Sequence, residues 1–276
     1  MLAGGARVII TTSSYSRATV EYYQRIYQEV GARGSTLTVV PLNAGSRQDV
    51  DSLVNYIYDT MQLDLDYVLP FAAIPENGRQ IDGIDDKSEL AHRIMLTNVI
   101  RLLGAIKTKK AVRDIETRPT LVVLPLSPNH GVFGSDGLYS ESKISLETLA
   151  QRWASEGWSA YLSITGAVIG WVRGTGLMEQ SNVVAESLEK LGLRTFSPVE
   201  MAFNILGLLS PVMSSFAQIE PIQADLGGGF DRVPELAEKA ASLRAAIRTE
   251  AEKRRALALE HSADFRVIHG AAAEAL

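Results

Sequence analysis

Residues 119–143 read PTLVVLPLSPNHGVFGSDGLYSESK, and the apolar run at their start limits the fold more than anything else in the chain. A run that short, rich in Val and Leu and closed by Ser127 and Pro128, reads as a strand with no polar face to turn toward water. Both of its faces must be covered, as they are in parallel sheets that carry helices above and below. The glycine-rich loop that follows leads into a helix showing Tyr139 and Lys143, four residues apart, on one face. Strand ends and the loops that leave them are where α/β proteins place chemistry.

The same punctuation recurs along the chain. Residues 6–12 (ARVIITT), 36–42, 67–73 (YVLPFAA), 159–168 (SAYLSITGAV) and 222–226 predict further strands. Apolar residues at helical spacing predict helices over 17–30, around Val50, Leu53, Val54 and Ile57, over 88–107, and over 182–191 and 199–209. Strands alternating with helices imply βαβ crossovers, and therefore an α/β fold with a doubly wound, Rossmann-like parallel sheet. After Pro234 the sequence turns to Ala, Glu, Lys and Arg with a thin apolar stripe. Residues 1–232 are thus read as one domain and residues 233–276 as a helical linker.

Charge and composition remove several function classes. A net charge of -5 over 276 residues gives no electrostatic case for nucleic acid or an anionic membrane surface. Cysteine is absent, which excludes disulfides, thiolate metal sites and a cysteine nucleophile, and the four histidines show no metal-ligand spacing. No metal is expected. No apolar run reaches the length of a membrane span, and the first residues lack the features of a signal peptide, so a cytoplasmic protein is expected.

Tyr139 and Lys143 are the first candidates for chemistry, because a neighbouring cation favours phenolate and draws a phenol pKa down from about 10 toward neutrality. With nine tyrosines present, such a pair arises by chance about as often as not. Ser127 stands at a strand end where a hydroxyl could hold a substrate carbonyl oxygen beside that phenol. A serine that starts the turn at Pro128 is the plainer account.

These residues, with TNVIRLLG, PFAAIPE and GWVRGTGLM, resemble the short-chain dehydrogenase/reductase superfamily, and within it the 3-oxoacyl-carrier-protein reductase segment of the fungal type I fatty acid synthase α subunit. The resemblance runs through almost the whole chain. It implies a catalytic tetrad of Ser127, Tyr139, Lys143 and Asn98, the asparagine holding a water and a kink in its helix. It also implies NADPH as hydride donor, acyl carrier protein bearing a 3-oxoacyl chain as substrate, and an assembly with other domains of the α chain and with the α and β subunits. The same reductase in a starter-unit synthase, or a non-catalytic scaffold of the same fold, are the alternatives.

Candidate cofactor contacts follow from the same resemblance. The strand over 6–12 ends in Thr12, Ser13 and, further on, Arg17, with hydroxyls and a cation but no carboxylate, which favours a 2′-phosphate over a free ribose hydroxyl. Asn43 matches a residue that faces adenine, although a turn asparagine before Ala44 and Gly45 explains it nearly as well. Ala72 and Ala73 match the strand end that supports the cofactor pocket, and Gly170 and Thr175 match the loop near the nicotinamide. A glycine-rich pyrophosphate turn belongs upstream of Leu2, so these residues are expected to be part of a larger polypeptide and to hold NADPH weakly alone.

Overall fold

A computed structural model of the protein describes residues 1–177 and 182–269. The chain runs β1 (Arg7–Thr12), α1 (Arg17–Val30), β2 (Thr36–Pro41), α2 (Arg47–Asn55), β3 (Tyr67–Val68), α3 (Asp86–His92), α4 (Asn98–Val112), β4 (Thr120–Leu126), α5 (Tyr139–Ser155) and β5 (Leu162–Ile169). It continues through α6 (Asn182–Lys190), α7 (Pro198–Leu208), α8 (Pro211–Ala217), β6 (Ile222–Leu226) and α9 (Leu236–His269). Every strand pairing is parallel, so each connection must cross over the sheet, and helices fill the crossovers.

The strands form two ladders, β1 with β2, and β3-β4-β5-β6 in that order. All seven residues of β4 are buried, which is why its sequence can be apolar throughout. One side of the sheet packs Val122, Leu124 and Ile164 against Leu53 and Val54 of α2, Val99, Leu103 and Ile106 of α4, and Leu146 and Leu149 of α5. Ile9 of β1 and Val40 of β2 lean on that same cluster, so shared helices cover both ladders. The other side packs Leu121, Val123 and Ala167 against Met201, Ile205 and Leu208 of α7 and Ala217 of α8.

Four boundaries differ from the sequence expectation. The strand expected over 67–73 stops at Val68, because Pro70 has no amide to give a ladder and the chain leaves as a loop. The strand expected over 159–168 begins only at Leu162, residues 157–161 forming a turn. The helix expected over 88–107 is interrupted by a π-helical turn at Arg93–Thr97, in which the Asn98 amide donates to Arg93 O. Helix α8 is additional: Ser210 accepts the Met213 amide and Pro211 stands in the first turn, a start signal that reading 199–209 as one helix passed over.

A third cluster closes the ends of β4 and β5. Trp171, Leu188, Phe230 and Leu236 are buried together, and Phe133 from the loop after β4 packs edge-on to Trp171 and Phe230 at 6.0 and 5.6 Å between centroids. This anchors the loop that leads into α5. Along α9, Leu236 and Ala240 are buried, whereas Leu257 and Leu259 face solvent. No single helix among the described residues is long and apolar enough to cross a membrane.

Candidate active site

Ser127 follows the last residue of β4 and is buried, and its Oγ accepts the Asn129 amide at 3.2 Å. The turn at Pro128 is therefore real, and it fixes the hydroxyl. The chain then folds back on itself. Asp136 Oδ2 accepts from Asn129 Nδ2 at 2.9 Å and from Ser140 Oγ at 2.7 Å, and Ser140 Oγ accepts the Gly131 amide at 3.0 Å. The loop is held by its own polar side chains, and Tyr139 opens α5 at its end.

Tyr139 is partly buried, and Ser127 hydrogen-bonds its side chain. Burial pushes the phenol pKa up, the Ser127 hydrogen bond pulls it down, and Asp136 adds a further push upward. The direction opposes the one expected from a neighbouring cation. Lys143 Nζ sits over the face of the Tyr139 ring, 5.5 Å from its centroid, and not against the hydroxyl. The lysine is itself only 4% exposed, and that burial lowers its pKa to about 8.

Asn98 is placed at the π-turn of the long helix and is buried. Its Nδ2 donates to Ala44 O at 2.6 Å, and its Oδ1 accepts from Arg101 at 2.8 Å. The amide thus ties the helix to the loop after β2. Tyr139 is brought beside both Ser127 and Lys143; Asn98 bonds to the neighbouring loop and to Arg101. The π-turn carries one extra residue per turn immediately before Asn98, where the resemblance implies a main-chain kink.

Around the candidate cofactor residues, local hydrogen bonds dominate. Thr12 Oγ1 donates to Ser14 O and accepts the Ser14 amide, and Ser13 is exposed in the bend between them. Ser16 caps α1, whose first turn has no acidic residue, and Arg17 pairs with Glu21 at 2.6 Å on the surface. Asn43 Oδ1 accepts the Gly45 amide at 3.0 Å, the turn that the sequence alone had left open. Ala72 is exposed and Ala73 half-buried.

Gly170 has a structural reason of its own. A Cβ there would lie 2.3 Å from Gly227 O, so the ends of β5 and β6 can meet only without a side chain. Thr175 Oγ1 donates to Val172 O at 3.2 Å and holds the following loop. Of GWVRGTGLM, Met178 lies outside the described residues. Two grooves, of about 410 Å³ between α4 and α5 and about 630 Å³ between α2 and α4, have neither Ser127, Tyr139 nor Lys143 in their walls.

Sequence reading missed Glu76, Asp136, Asn129, Ser140 and the pair His92 and Ser142. Ser142 Oγ donates to Leu138 O at 2.6 Å, so the 2.9 Å contact from His92 Nδ1 is one in which the ring nitrogen donates. These residues buttress the start of α5. Among the described residues no cluster of His, Asp and Glu suits a metal ion.

No protein-family model matches the chain. It is 58% identical over 273 residues to fatty acid synthase subunit alpha of Penicillium patulum, covering 98% of this chain and 15% of the relative. It is 57% identical over 279 residues to fatty acid synthase subunit alpha of Schizosaccharomyces pombe, covering 100% of this chain and again 15% of the relative. The chain therefore spans about 15% of the length of the curated relatives it matches. Among solved structures it is similar to a short chain dehydrogenase/reductase family protein, with a TM-score of 0.62 and 21% identity over 82% of this chain and 88% of that one. A putative betaketoacyl-ACP reductase gives a TM-score of 0.59 and 22% identity over 82% and 89%. At such identity the structural likeness speaks for the fold.

Proposed function

We propose, from the premise that this chain is homologous over nearly its whole length to one segment of the fungal fatty acid synthase α subunit and has the short-chain dehydrogenase/reductase fold, that it is a ketoreductase unit. Its reaction is the NADPH-dependent reduction of a 3-oxoacyl chain on acyl carrier protein to the 3-hydroxyacyl thioester. The observation that carries the reading is the meeting of Ser127, Tyr139 and Lys143 beyond the carboxyl end of β4.

The residues present suit a nicotinamide nucleotide. Thr12, Ser13 and Arg17 offer hydroxyls and a cation at the end of β1, and α1 begins with no acid in its first turn, a setting that favours a 2′-phosphate. Asn43 lies at the end of β2 for the adenine, the small Ala72 and Ala73 line the exit from β3, and Gly170 and Thr175 border the nicotinamide end. When bound, that group supplies the hydride for the carbonyl carbon. The chain's own residues handle the oxygen.

Burial keeps the Tyr139 phenol protonated at neutral pH, so it has a proton to give as negative charge develops on the carbonyl oxygen. The Ser127 hydroxyl holds that oxygen and, by its hydrogen bond to Tyr139, eases the proton's departure. Lys143, cationic below about pH 8, faces the ring and orients the cofactor ribose. Asn98, bonded to Ala44 O, carries the link from this site to the loop after β2, where a water relay would run.

The partners follow from the same premise: acyl carrier protein, the other domains of the α chain, and the α and β subunits of a synthase. An apolar face supports contact with further protein, since Val199 and Phe203 of α7, Val212 and Phe216 of α8, and Ile219 are all more than half exposed. Assay of 3-oxoacyl-carrier-protein reduction with NADPH tests the reading. Assayed within a full-length synthase α chain that carries this segment, the parent turns over, and Tyr139→Phe loses about 10²- to 10⁴-fold in kcat with an unchanged circular dichroism spectrum. No turnover by the parent, or full activity in the variant, overturns it.

A further inference from the structure

Helix α5 starts badly by its own sequence. Its N-cap is Leu138, whose side chain cannot accept a hydrogen bond from the first turn. The support comes from 62 residues upstream: Glu76 Oε2 accepts the Leu138 amide at 2.9 Å. Beside that bond the loop after β3 is stitched to the loop before α5, the Gly78 amide donating to Ser135 O at 2.8 Å and the Gly137 amide to Arg79 O at 3.1 Å.

Glu76 is only 3% exposed, and its second oxygen, Oε1, is buried with no hydrogen-bond partner among the described residues. Burying a carboxylate so incompletely satisfied is costly, so a packing role that an apolar residue could fill does not account for it. Gly137 makes the room. A Cβ there would come within 2.6 Å of the Glu76 carboxylate carbon and 2.7 Å of both its oxygens, and φ of +57° independently disfavours any side chain. Carboxylate, glycine and amide fit as one lock.

We propose that Glu76 is a positioning residue: its carboxylate, seated on Gly137 and bonded to the Leu138 amide, fixes the first turn of α5 and so the placement of Tyr139 and Lys143. Its catalytic consequence rests on the ketoreductase reading; its structural content does not. A negative group at this end also complements the helix dipole, and a charged acceptor makes a stronger bond to the amide than a neutral one. The segment PFAAIPE then serves the catalytic helix as well as the cofactor side.

The test uses the whole 276-residue chain and reads Lys143 rather than turnover. With ¹³C-labelled lysine, the Lys143 resonance titrates near pH 8 in the parent chain and in Glu76→Gln, which keeps an oxygen for the Leu138 amide. In Glu76→Ala the first turn loosens, water reaches the ammonium, and the midpoint rises toward the ordinary 10.5. A folded Glu76→Ala chain that still titrates like the parent overturns the proposal. Should that variant not fold, amide exchange in the parent decides: Leu138 exchanging at least about tenfold more slowly than the exposed Asn77 supports the lock, and equal rates overturn it. Failure of the ketoreductase reading would show instead as activity retained in Tyr139→Phe, which leaves these measurements unaffected.

Discussion

The β1–β2 ladder and the β4–α5 unit are built from the same kind of parallel strand, yet they differ in how firmly the protein holds them. Neither β1 nor β2 contains a buried residue, and α1 has none either. Every residue of β4 is buried, α5 buries Lys143 along with its leucines, and the loop between them is cross-linked by Asp136, Asn129, Ser140 and Glu76. The proposed proton-delivery groups sit on the rigid unit and the proposed nucleotide contacts on the exposed one. Groups that must meet a reacting atom within a fraction of an ångström need a packed, hydrogen-bonded frame. A surface for a large nucleotide can use hydroxyls and main-chain groups at a strand end.

The contrast is open to breaking, beginning with the chemistry already staked on Tyr139→Phe. Next in size, Leu124→Ala in β4 removes a side chain that is 1% exposed and should cost about 2–5 kcal/mol by urea denaturation, whereas Leu37→Ala in half-buried β2 should cost less than about 1.5 kcal/mol. Equal losses would abolish the distinction between the two regions.

Lys143 gives a pH-dependent version of the same comparison. Burial lowers its pKa from the ordinary 10.5 to about 8, so between those values the unfolded chain holds a proton that the folded chain has released. Stability therefore climbs with pH across that window, and below pH 8 the full penalty, about 3 kcal/mol, is present. Lys143→Met should be more stable than the parent at pH 7, by up to that amount, and the gap should shrink toward pH 10. Thermal unfolding at both pH values measures it, and a gap independent of pH would mean the ammonium is not desolvated.

The smallest expected effect on stability falls on the exposed side. Arg17→Ala breaks an ion pair whose arginine side chain is 92% exposed, so the melting temperature should hold within about a degree. NADPH affinity should nonetheless drop several-fold while NADH affinity does not change. Equal effects on the two nucleotides would remove Arg17 from the 2′-phosphate assignment.

Much of this architecture was legible in residue order. The periodicities at 17–30 and 222–226 give α1 and β6 their observed bounds, and the spacing of Tyr139 and Lys143 alone puts them on one helical face. Where the elements differ from that order, the cause is local competition: Pro70 ends β3 early, Ser210 starts a helix, and a π-turn at Arg93–Thr97 interrupts the helix expected over 88–107. Glu76 carries no periodicity, and its role exists only once distant loops touch, whereas Asp136 acts within its own loop but belongs to no repeating pattern.

What the sequence determined by itself is the order of strands and helices, the covered faces of the apolar run at 120–126, and the pairing of Tyr139 with Lys143, because all of these depend on spacing within a few residues. The tertiary structure decided which way the phenol and ammonium pKa values move, which groups hold Asn98, and what the first turn of α5 bonds to. Desolvation and the carboxylate cap on Leu138 are set by neighbours tens of residues away, and no local pattern records them.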